Sequence, residues 1–204
     1  MTDAIRAHMH VQDDGENGPT ICGSENHIQH TFFAPVQDVA NVIWSWDQCN
    51  SAYRSEVAEQ VDPPYHQMVY YRGNSLTGAN LRRVMRMRMD GHRVIMTLAL
   101  VAEDECFAIG DSELRIHGFA WTIVEPVTDS ISLVRHSRYH AAPKTTHGVA
   151  SVEAIAKLYM QSPALETMSR QVLVERLRTS VETMYTHVSR DFVGMMARLL
   201  DEPA

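Results

Sequence analysis

Apolar residues recur at gaps of three or four throughout residues 163–200, the spacing that gathers them on one face of a helix. Ser162 and Pro163 supply a capping residue and a first-turn proline, and no glycine or proline interrupts the run before Gly194. The pattern predicts one long amphipathic helix over residues 163–200. Its apolar face must be buried, so the rest of the chain is expected to pack against it.

Most of the chain before this helix alternates between apolar and polar residues with a period of two, which is typical of strands. Strands are predicted over residues 27–34, 55–61, 65–72, 81–89, 93–101, 113–124 and 131–140. The pair Asp90 and Gly91 predicts a tight hairpin between two of them. Helical spacing predicts two short helices, over residues 35–47 and 149–160.

This order of elements predicts an α+β fold in which a curved antiparallel sheet wraps around the long C-terminal helix and leaves room for a ligand. Residues 1–25 mix Asp, Gly, Asn and His without a stable period, and they are expected to form a flexible tail. Residues 26–200 are expected to form one domain, because a chain of 204 residues is large enough to bury a single full core.

Charge and cysteine content narrow the functional classes. Lys and Arg number 18 against 25 Asp and Glu, and the net charge of -7 argues against nucleic acid as a partner. The 3 cysteines have no paired spacing, so neither a disulfide framework nor a zinc knuckle is predicted. The N-terminal residues lack the apolar core of a signal peptide, and no later run reaches the length of a membrane span. We therefore expect a cytoplasmic protein.

Met85, Met87 and Met89 share one face of a predicted strand. Methionine fills irregular gaps in any core, so core packing explains this stripe without a ligand. Three flexible thioethers in a row also form an adaptable wall that suits a loosely shaped apolar ligand. The second interpretation makes the three methionines candidate ligand-binding residues, together with Leu177 and Met184 on the apolar face of the long helix.

The strand predicted over residues 113–124 places Arg115, His117, Phe119 and Trp121 on one face. If these large side chains point inward, Arg115 and His117 enter an apolar interior. A buried charge there requires a partner or the polar end of a ligand, which makes all four residues candidates for ligand binding. Alternatively, these residues lie at the surface of a sheet that has one solvent-exposed face.

The next predicted strand places His136, Arg138 and His140 on a common face. The solvent-exposed alternative fits Arg138 and His140 better than it fits Arg115 and His117. His136 and His140 have a spacing that allows metal chelation, but no adjacent Asp, Glu or Cys completes a ligand set. No metal site is therefore predicted, and His136 is retained as a candidate ligand-binding residue.

Three stretches resemble the StAR-related lipid-transfer (START) domains of the helix-grip superfamily, which also holds the birch-pollen-allergen family and the polyketide cyclases. They are NLRRVMRMRM, SELRIHGFAWTIVEP and HAAPKTTHGVASVEAIAKLYMQSPALETMSRQVLVERLR. The resemblance covers about residues 25–189. It implies a helix-grip fold with a hydrophobic tunnel closed by the terminal helix. It also implies binding, and in some members transfer, of a sterol, phospholipid, fatty acid or similar molecule, with a membrane surface as a transient partner and no cofactor.

The enzymatic alternative comes from the polyketide cyclases of the same architecture, which use polar side chains in the cavity for acid–base chemistry. The candidates here are Tyr70, Arg115, His117 and His136, since histidine exchanges protons near neutrality and arginine holds a carboxylate or enolate oxygen. The sequence shows no nucleophile elbow, phosphate loop, metal signature or dinucleotide fingerprint. Binding without catalysis is therefore the preferred interpretation, with no residue assigned as catalytic and with Tyr70 kept as a ligand-binding candidate.

Overall fold

The computed structural model describes a large part of the chain in several ranges. They are residues 3–13, 15, 18–49, 54–61, 67–74, 79–105, 108, 110–111, 113–160 and 167–201. For residues 49, 54–61, 67 and 74 it describes the backbone alone.

The predicted strands and helices form in the predicted order, with a further strand before them and a short strand pair after the main sheet. The strands of the main sheet are β1 (Ala4–Asp13), β2 (Pro19–Phe32), β3 (Arg54–Val61), β4 (Gln67–Asn74), β5 (Asn80–Asp90), β6 (Arg93–Leu100), β7 (Gly118–Thr128) and β8 (Ile131–Ala141). A short pair, β9 (Lys144–Thr145) and β10 (Gly148–Val149), follows them. The helices are α1 (Val36–Cys49), α2 (Val152–Met160) and α3 (Arg170–Asp201).

Within the described ranges, eight strands form one sheet in the order β1-β2-β8-β7-β6-β5-β4-β3. Each neighbouring pair is antiparallel. Strands β3 to β8 therefore form a meander, and β2 pairs with the last strand of that meander. The sheet and the 32-residue terminal helix α3 confirm the predicted α+β helix-grip fold.

One face of the sheet, called the inner face below, packs against α1 and α3. Alternate residues of β7 show which side chains point there, since Ala120, Thr122 and Val124 are buried. Buried residues of α1, including Val39 and Ile43, complete an apolar core with the inner faces of β4 to β8. A second apolar cluster joins α2 and α3 to β1 and β2 at the other end of the sheet.

Part of the segment expected to be a flexible tail is a strand. Residues Ala4–Asp13 form β1, which pairs with β2 along its whole length, from Ala4 opposite Gln29 to Asp13 opposite Pro19. Met9 buries its side chain, and its backbone amide donates a hydrogen bond to the Glu182 carboxylate at 3.0 Å. The expectation was wrong because backbone hydrogen bonds to β2, more than apolar side chains, order this polar strand.

Two predicted boundaries also differ from the structure. The predicted start of the long helix at residue 163 lies outside the described ranges, and α3 begins at Arg170, where the Leu173 amide donates to the Ser169 carbonyl at 2.9 Å. The strand predicted from residue 113 begins only at Gly118. Gly118 has a φ of +152°, and a side chain there would collide with the Tyr139 carbonyl oxygen, so the regular pleat is interrupted at this residue.

No helix in the ranges that the structure describes is both long enough and apolar enough to cross a membrane.

Candidate functional site

A pocket opens between α1, α3 and the inner face of the sheet. It encloses about 400 Å³ of empty space, including its open mouth. Its lining consists of Asn26, Ile28, Ile43, Trp46, Asp47, Thr122, His136, Arg138, Val188, Ser189 and Phe192. We call this space the central pocket.

The two helices supply an apolar wall of the central pocket. Ile43 and Trp46 come from α1, while Val188 and Phe192 come from α3. The rings of Trp46 and Phe192 lie 5.0 Å apart between their centroids, so they join the two helices across this wall. The C-terminal end of α1 is held by Arg83, whose Nη2 donates to the Asp47 carbonyl oxygen at 2.9 Å.

Three neighbouring strands supply a polar floor, because strand register places polar residues side by side. Asn26 lies opposite Arg138, and His136 lies opposite Thr122. The Nδ1 atom of His136 and the hydroxyl of Thr122 are 2.8 Å apart. The Asn26 amide donates to the Ser189 hydroxyl at 2.9 Å, which links the floor to α3.

Burial changes the proton affinities of two groups in this pocket. It lowers the pKa of His136 to about 3, and the nearby Arg138 charge acts in the same direction. It raises the pKa of the Asp47 carboxyl, and the positive charges of Arg138 and Arg83 oppose that rise. The central pocket therefore combines a neutral imidazole, a cationic guanidinium and a carboxyl with an increased tendency to hold its proton.

A second pocket lies further along α3. It encloses about 280 Å³, including its opening. Its lining is mainly apolar and consists of Met9, Ile21, Gly23, Ser24, His140, Ala141, Ala142, Pro143, Ile155, Tyr159 and Val181. Its polar side chains Ser24 and His140 both hydrogen-bond Tyr185, at 3.4 Å and 2.6 Å from its hydroxyl. We call this space the distal pocket.

The residues predicted to bind a ligand are spread over several places. His136 lines the central pocket, whereas the other ten are not among its lining residues. Met85 and Met87 lie in or against the apolar core beside α1, and Met89 is 54% exposed. Leu177 and Met184 belong to the cluster between α2, α3 and β1. Whether these residues contact a ligand stays a prediction.

The expected orientation of Phe119 and Trp121 was wrong. They are 55% and 37% exposed, and the small residues Ala120 and Thr122 point inward in their place. The prediction assumed that large side chains fill the interior. Small inward side chains instead leave the space that the central pocket occupies. The aromatic rings lie on the outer face, where the ring centroids of Phe119 and Tyr139 are 5.7 Å apart.

Tyr70 and Arg115 come together away from the central pocket, in a group that also contains Arg82 and Asp104. Tyr70 donates a hydrogen bond to the Asp104 carboxylate, and burial followed by that hydrogen bond raises the pKa of Tyr70 to about 12. Arg115 is fully buried and donates to the Ala102 carbonyl oxygen at 3.1 Å. Burial lowers the pKa of Arg115, and the Arg82 charge adds to this effect. We call these four residues the outer cluster.

His117 occupies a different environment from either group. Burial lowers its pKa, and the charge of Lys144 lowers it further. The four residues proposed for acid–base chemistry are therefore divided among the central pocket, the outer cluster and the region beside Lys144. In the ranges that are described, no three His, Cys, Asp or Glu side chains are arranged to hold a metal ion.

Sequence reasoning missed four of the polar lining residues, which are Asn26, Asp47, Thr122 and Ser189. Arg138 had both an interior and a surface interpretation, and the structure places it in the pocket. A usable signal was the alternation of small residues on β7, because Gly118, Ala120 and Thr122 mark the face that has room beside it.

No family model matches the sequence, and no curated protein matches it. Similar solved structures include a STAR-related lipid transfer protein from Xanthomonas axonopodis, with 14% identity, a TM-score of 0.44 and coverage of 91% of this chain and 97% of that one. Human STARD10 has 10% identity, a TM-score of 0.46 and coverage of 96% and 76%. The Zhui aromatase/cyclase from Streptomyces sp. R1128 has 13% identity, a TM-score of 0.46 and coverage of 85% and 94%.

The chain has the predicted α+β helix-grip arrangement of an antiparallel sheet and a long terminal helix. The strand order and the position of the terminal helix define it. Because one fold hosts many functions, function has to be argued from the pockets and their side chains.

Proposed function

We propose that this protein binds a compact, largely apolar small molecule with one polar end in the central pocket. The observation that supports this is the division of the lining into two walls. Helices α1 and α3 contribute most of the apolar side chains together with Asp47 and Ser189, and the sheet contributes Asn26, Thr122, His136 and Arg138 beside Ile28. Such a mixture is typical of ligand sites, in which apolar area gives affinity and a few polar groups fix orientation.

The size of the pocket limits the ligand. The centre of a water-sized sphere can occupy about 30 Å³ of the central pocket, which is room for roughly two water molecules. A ligand must therefore displace side chains of the wall as it enters, and a single-chain or single-ring molecule requires less displacement than a two-chain phospholipid. We also propose that the protein exchanges such a ligand with a membrane surface, as a START-like carrier would.

The polar end of the ligand belongs at the floor of the pocket. Arg138 and Asn26 are opposite each other in the strand register, so a guanidinium and an amide meet at one point. A carboxylate, phenolate or carbonyl oxygen placed there gains charge-assisted hydrogen bonds. The apolar part then lies between Ile43, Trp46 and Phe192.

Blocking the mouth tests this proposal. Val188 lines the pocket and is 40% exposed, so Val188→Trp adds bulk at the opening with little strain in the core. Uptake of cis-parinaric acid, followed by its fluorescence, should fall at least about tenfold, which corresponds to roughly 1.4 kcal/mol. Val172→Trp is the matched control, because Val172 is 46% exposed on the same helix and does not line the pocket.

Equal uptake by wild type and folded Val188→Trp would contradict the central pocket as the binding site. A wild-type protein that takes up no cis-parinaric acid, and that carries no apolar molecule when isolated and examined by native mass spectrometry, would contradict binding itself.

An enzyme of the cyclase or dehydratase kind is the second candidate, and the pairing of Asp47 with His136 in one pocket favours it. Burial raises the pKa of Asp47, which favours a protonated carboxyl that can act as an acid, and it lowers the pKa of His136 to about 3, which keeps the imidazole neutral as a hydrogen-bond acceptor and a weak base. Mass spectrometry of the ligand before and after incubation distinguishes the two functions. A carrier returns it unchanged, whereas an enzyme converts it and loses turnover, with binding largely retained, in Asp47→Asn and His136→Gln.

A further inference from the structure

The central and distal pockets are consecutive parts of one seam between α3 and the strands β2 and β8. Strand β2 lines the distal pocket with Gly23 and Ser24 and the central pocket with Asn26 and Ile28. Strand β8 and helix α3 contribute to both pockets in the same way, α3 through Val181 at one end and Val188 to Phe192 at the other.

Tyr185 lies on α3 between Val181 of the distal pocket and Val188 of the central pocket, although it is not itself a lining residue of either one. It is one helical turn from Val181 and one turn from Ser189, so its side chain points from α3 into the same seam. Its hydroxyl lies 2.6 Å from Nδ1 of His140 on β8 and 3.4 Å from the hydroxyl of Ser24 on β2. The ring and these hydrogen bonds close the seam from the helix to the sheet.

We infer that Tyr185 is a movable partition, and that the ligand is a single-chain amphiphile whose polar end lies at Arg138 while its chain extends past Tyr185 into the distal pocket. This inference rests on the proposed binding function and adds the class of ligand and the residue that limits its length. The difference between the two linings supports this orientation of the ligand, since the polar floor is in the central pocket and the distal pocket is mainly aliphatic.

The length of the joined seam agrees with one extended chain. Eleven residues separate Val181 from Phe192 on α3, which at 1.5 Å per residue is about 16 Å. One leaflet of a bilayer has a hydrocarbon depth of about 15 Å, half of the roughly 30 Å core, and a single acyl chain spans it. The seam therefore matches the length of a chain of lipid size, although neither pocket alone does.

The free energy gained when a ligand binds is large enough to move the partition. A typical hydrogen bond contributes a net 0.5–1.5 kcal/mol to stability, roughly, and the Tyr185 hydroxyl makes two with side chains of the sheet. Burial of one additional CH₂ group of a ligand contributes about 0.8 kcal/mol. A few methylene groups that enter the distal pocket therefore offset the loss of both hydrogen bonds.

Isothermal titration of wild type and variants with hexanoic, decanoic and hexadecanoic acid tests the inference. In wild type, the gain in affinity from hexanoic to hexadecanoic acid should be reduced by the free energy needed to move Tyr185. In Tyr185→Ala, the ratio of the hexadecanoic to the hexanoic acid affinity should increase at least about tenfold, because the pockets are joined permanently. Tyr185→Phe keeps the ring but loses both hydrogen bonds, so it should show a smaller increase.

Leu173→Ala is the matched control, because it removes a buried side chain from the same helix without lining either pocket. Tyr185→Leu replaces Tyr185→Ala if the smaller side chain prevents folding. The same chain-length dependence in wild type and in a folded Tyr185→Ala or Tyr185→Leu variant would overturn the partition. A failure of the proposed function looks different, since then no acid binds to wild type or to any variant.

Discussion

The protein buries polar side chains both on the inner face of its sheet and in the outer cluster, and of these two groups the one on the inner face borders a pocket lined by described residues. On the inner face, Arg138 and His136 border the open central pocket. In the outer cluster, the Arg115 side chain is fully buried, and neither Arg115 nor Tyr70 is among the residues that line the central or distal pocket. Both regions hold arginine near a carboxyl group, so residue type does not distinguish them. Among the described residues, the adjoining central pocket distinguishes the inner face and makes it the candidate ligand site.

The partners of the two regions explain this difference. The outer cluster is closed by the backbone around it, because the Arg115 amide donates to the Lys144 carbonyl oxygen and the Lys144 amide donates back, at 2.8 and 2.9 Å. The central pocket is bordered by side chains of two separate helices, so its wall can open without breaking the sheet. Mutations in the outer cluster should consequently affect stability, and mutations in the central pocket should affect binding more than stability.

The largest effect is expected for Arg115→Ala. The substitution removes a fully buried side chain and its hydrogen bond to the Ala102 carbonyl oxygen. The free energy of unfolding in urea should fall by about 2–5 kcal/mol, the range for large-to-alanine changes in a core. Arg115→Met restores most of the volume without the charge and should recover part of that loss.

Ligand uptake provides the comparison between the regions. A folded Arg115→Met variant should bind cis-parinaric acid with wild-type affinity, since Arg115 does not line the central pocket. Lost uptake in that variant, with its fold intact, would make the outer cluster the binding site, as the sequence had suggested.

The fold was largely predictable from the sequence, and the site was not. The alternation of residues 81–89 and the helical period before Gly194 are local patterns, and both elements form where those patterns place them. The central pocket depends instead on strand register, which brings Asn26 beside Arg138 across more than a hundred residues of chain. No local periodicity reveals that pairing. Nothing in the sequence distinguishes Asp47 from the other polar residues of the amphipathic helix α1.

The second source of error was the assignment of strand residues to the buried or the exposed face of the sheet. The prediction for residues 113–124 used side-chain size to choose the inner face, yet the interior beside a pocket needs small residues such as Ala120. The interruption at Gly118 also separates Arg115 and His117 from the regular strand. A pattern of period two fixes which residues share a face, but it does not decide which face is buried.

A decrease in pH should affect the inner face before the outer cluster. Burial lowers the pKa of both His136 and His140 to about 3 in the folded protein. The unfolded chain, with a histidine pKa near 6.5, therefore takes up protons first as the pH falls. The stabilisation is complete above about pH 6.5 and is lost between there and about pH 3, by up to roughly 2 kcal/mol for each histidine at pH 5.

Urea unfolding at pH 7 and pH 5 measures this loss. Asp47 acts in the opposite direction, because its raised pKa makes the folded state bind a proton more readily as the pH falls. His136→Gln keeps a hydrogen-bonding group beside Thr122 and should remove about half of the pH dependence. An unchanged difference between pH 7 and pH 5 in that variant would show that folding leaves the pKa of His136 near its unfolded value.

The smallest quantity to be measured is the coupling free energy between the pocket floor and α3. Asn26 and Ser189 are both buried, and their side chains exchange hydrogen bonds at 2.9 and 3.2 Å. Each single change to alanine leaves one buried polar group without this partner and should reduce the free energy of unfolding by about 1–3 kcal/mol. The double variant removes both groups, so its loss should be less than the sum of the single losses, with a coupling of about 1 kcal/mol. Additive losses would mean that the two side chains are solvated independently. The floor of the central pocket would then be more hydrated and less tightly linked to α3 than the hydrogen bonds between Asn26 and Ser189 indicate.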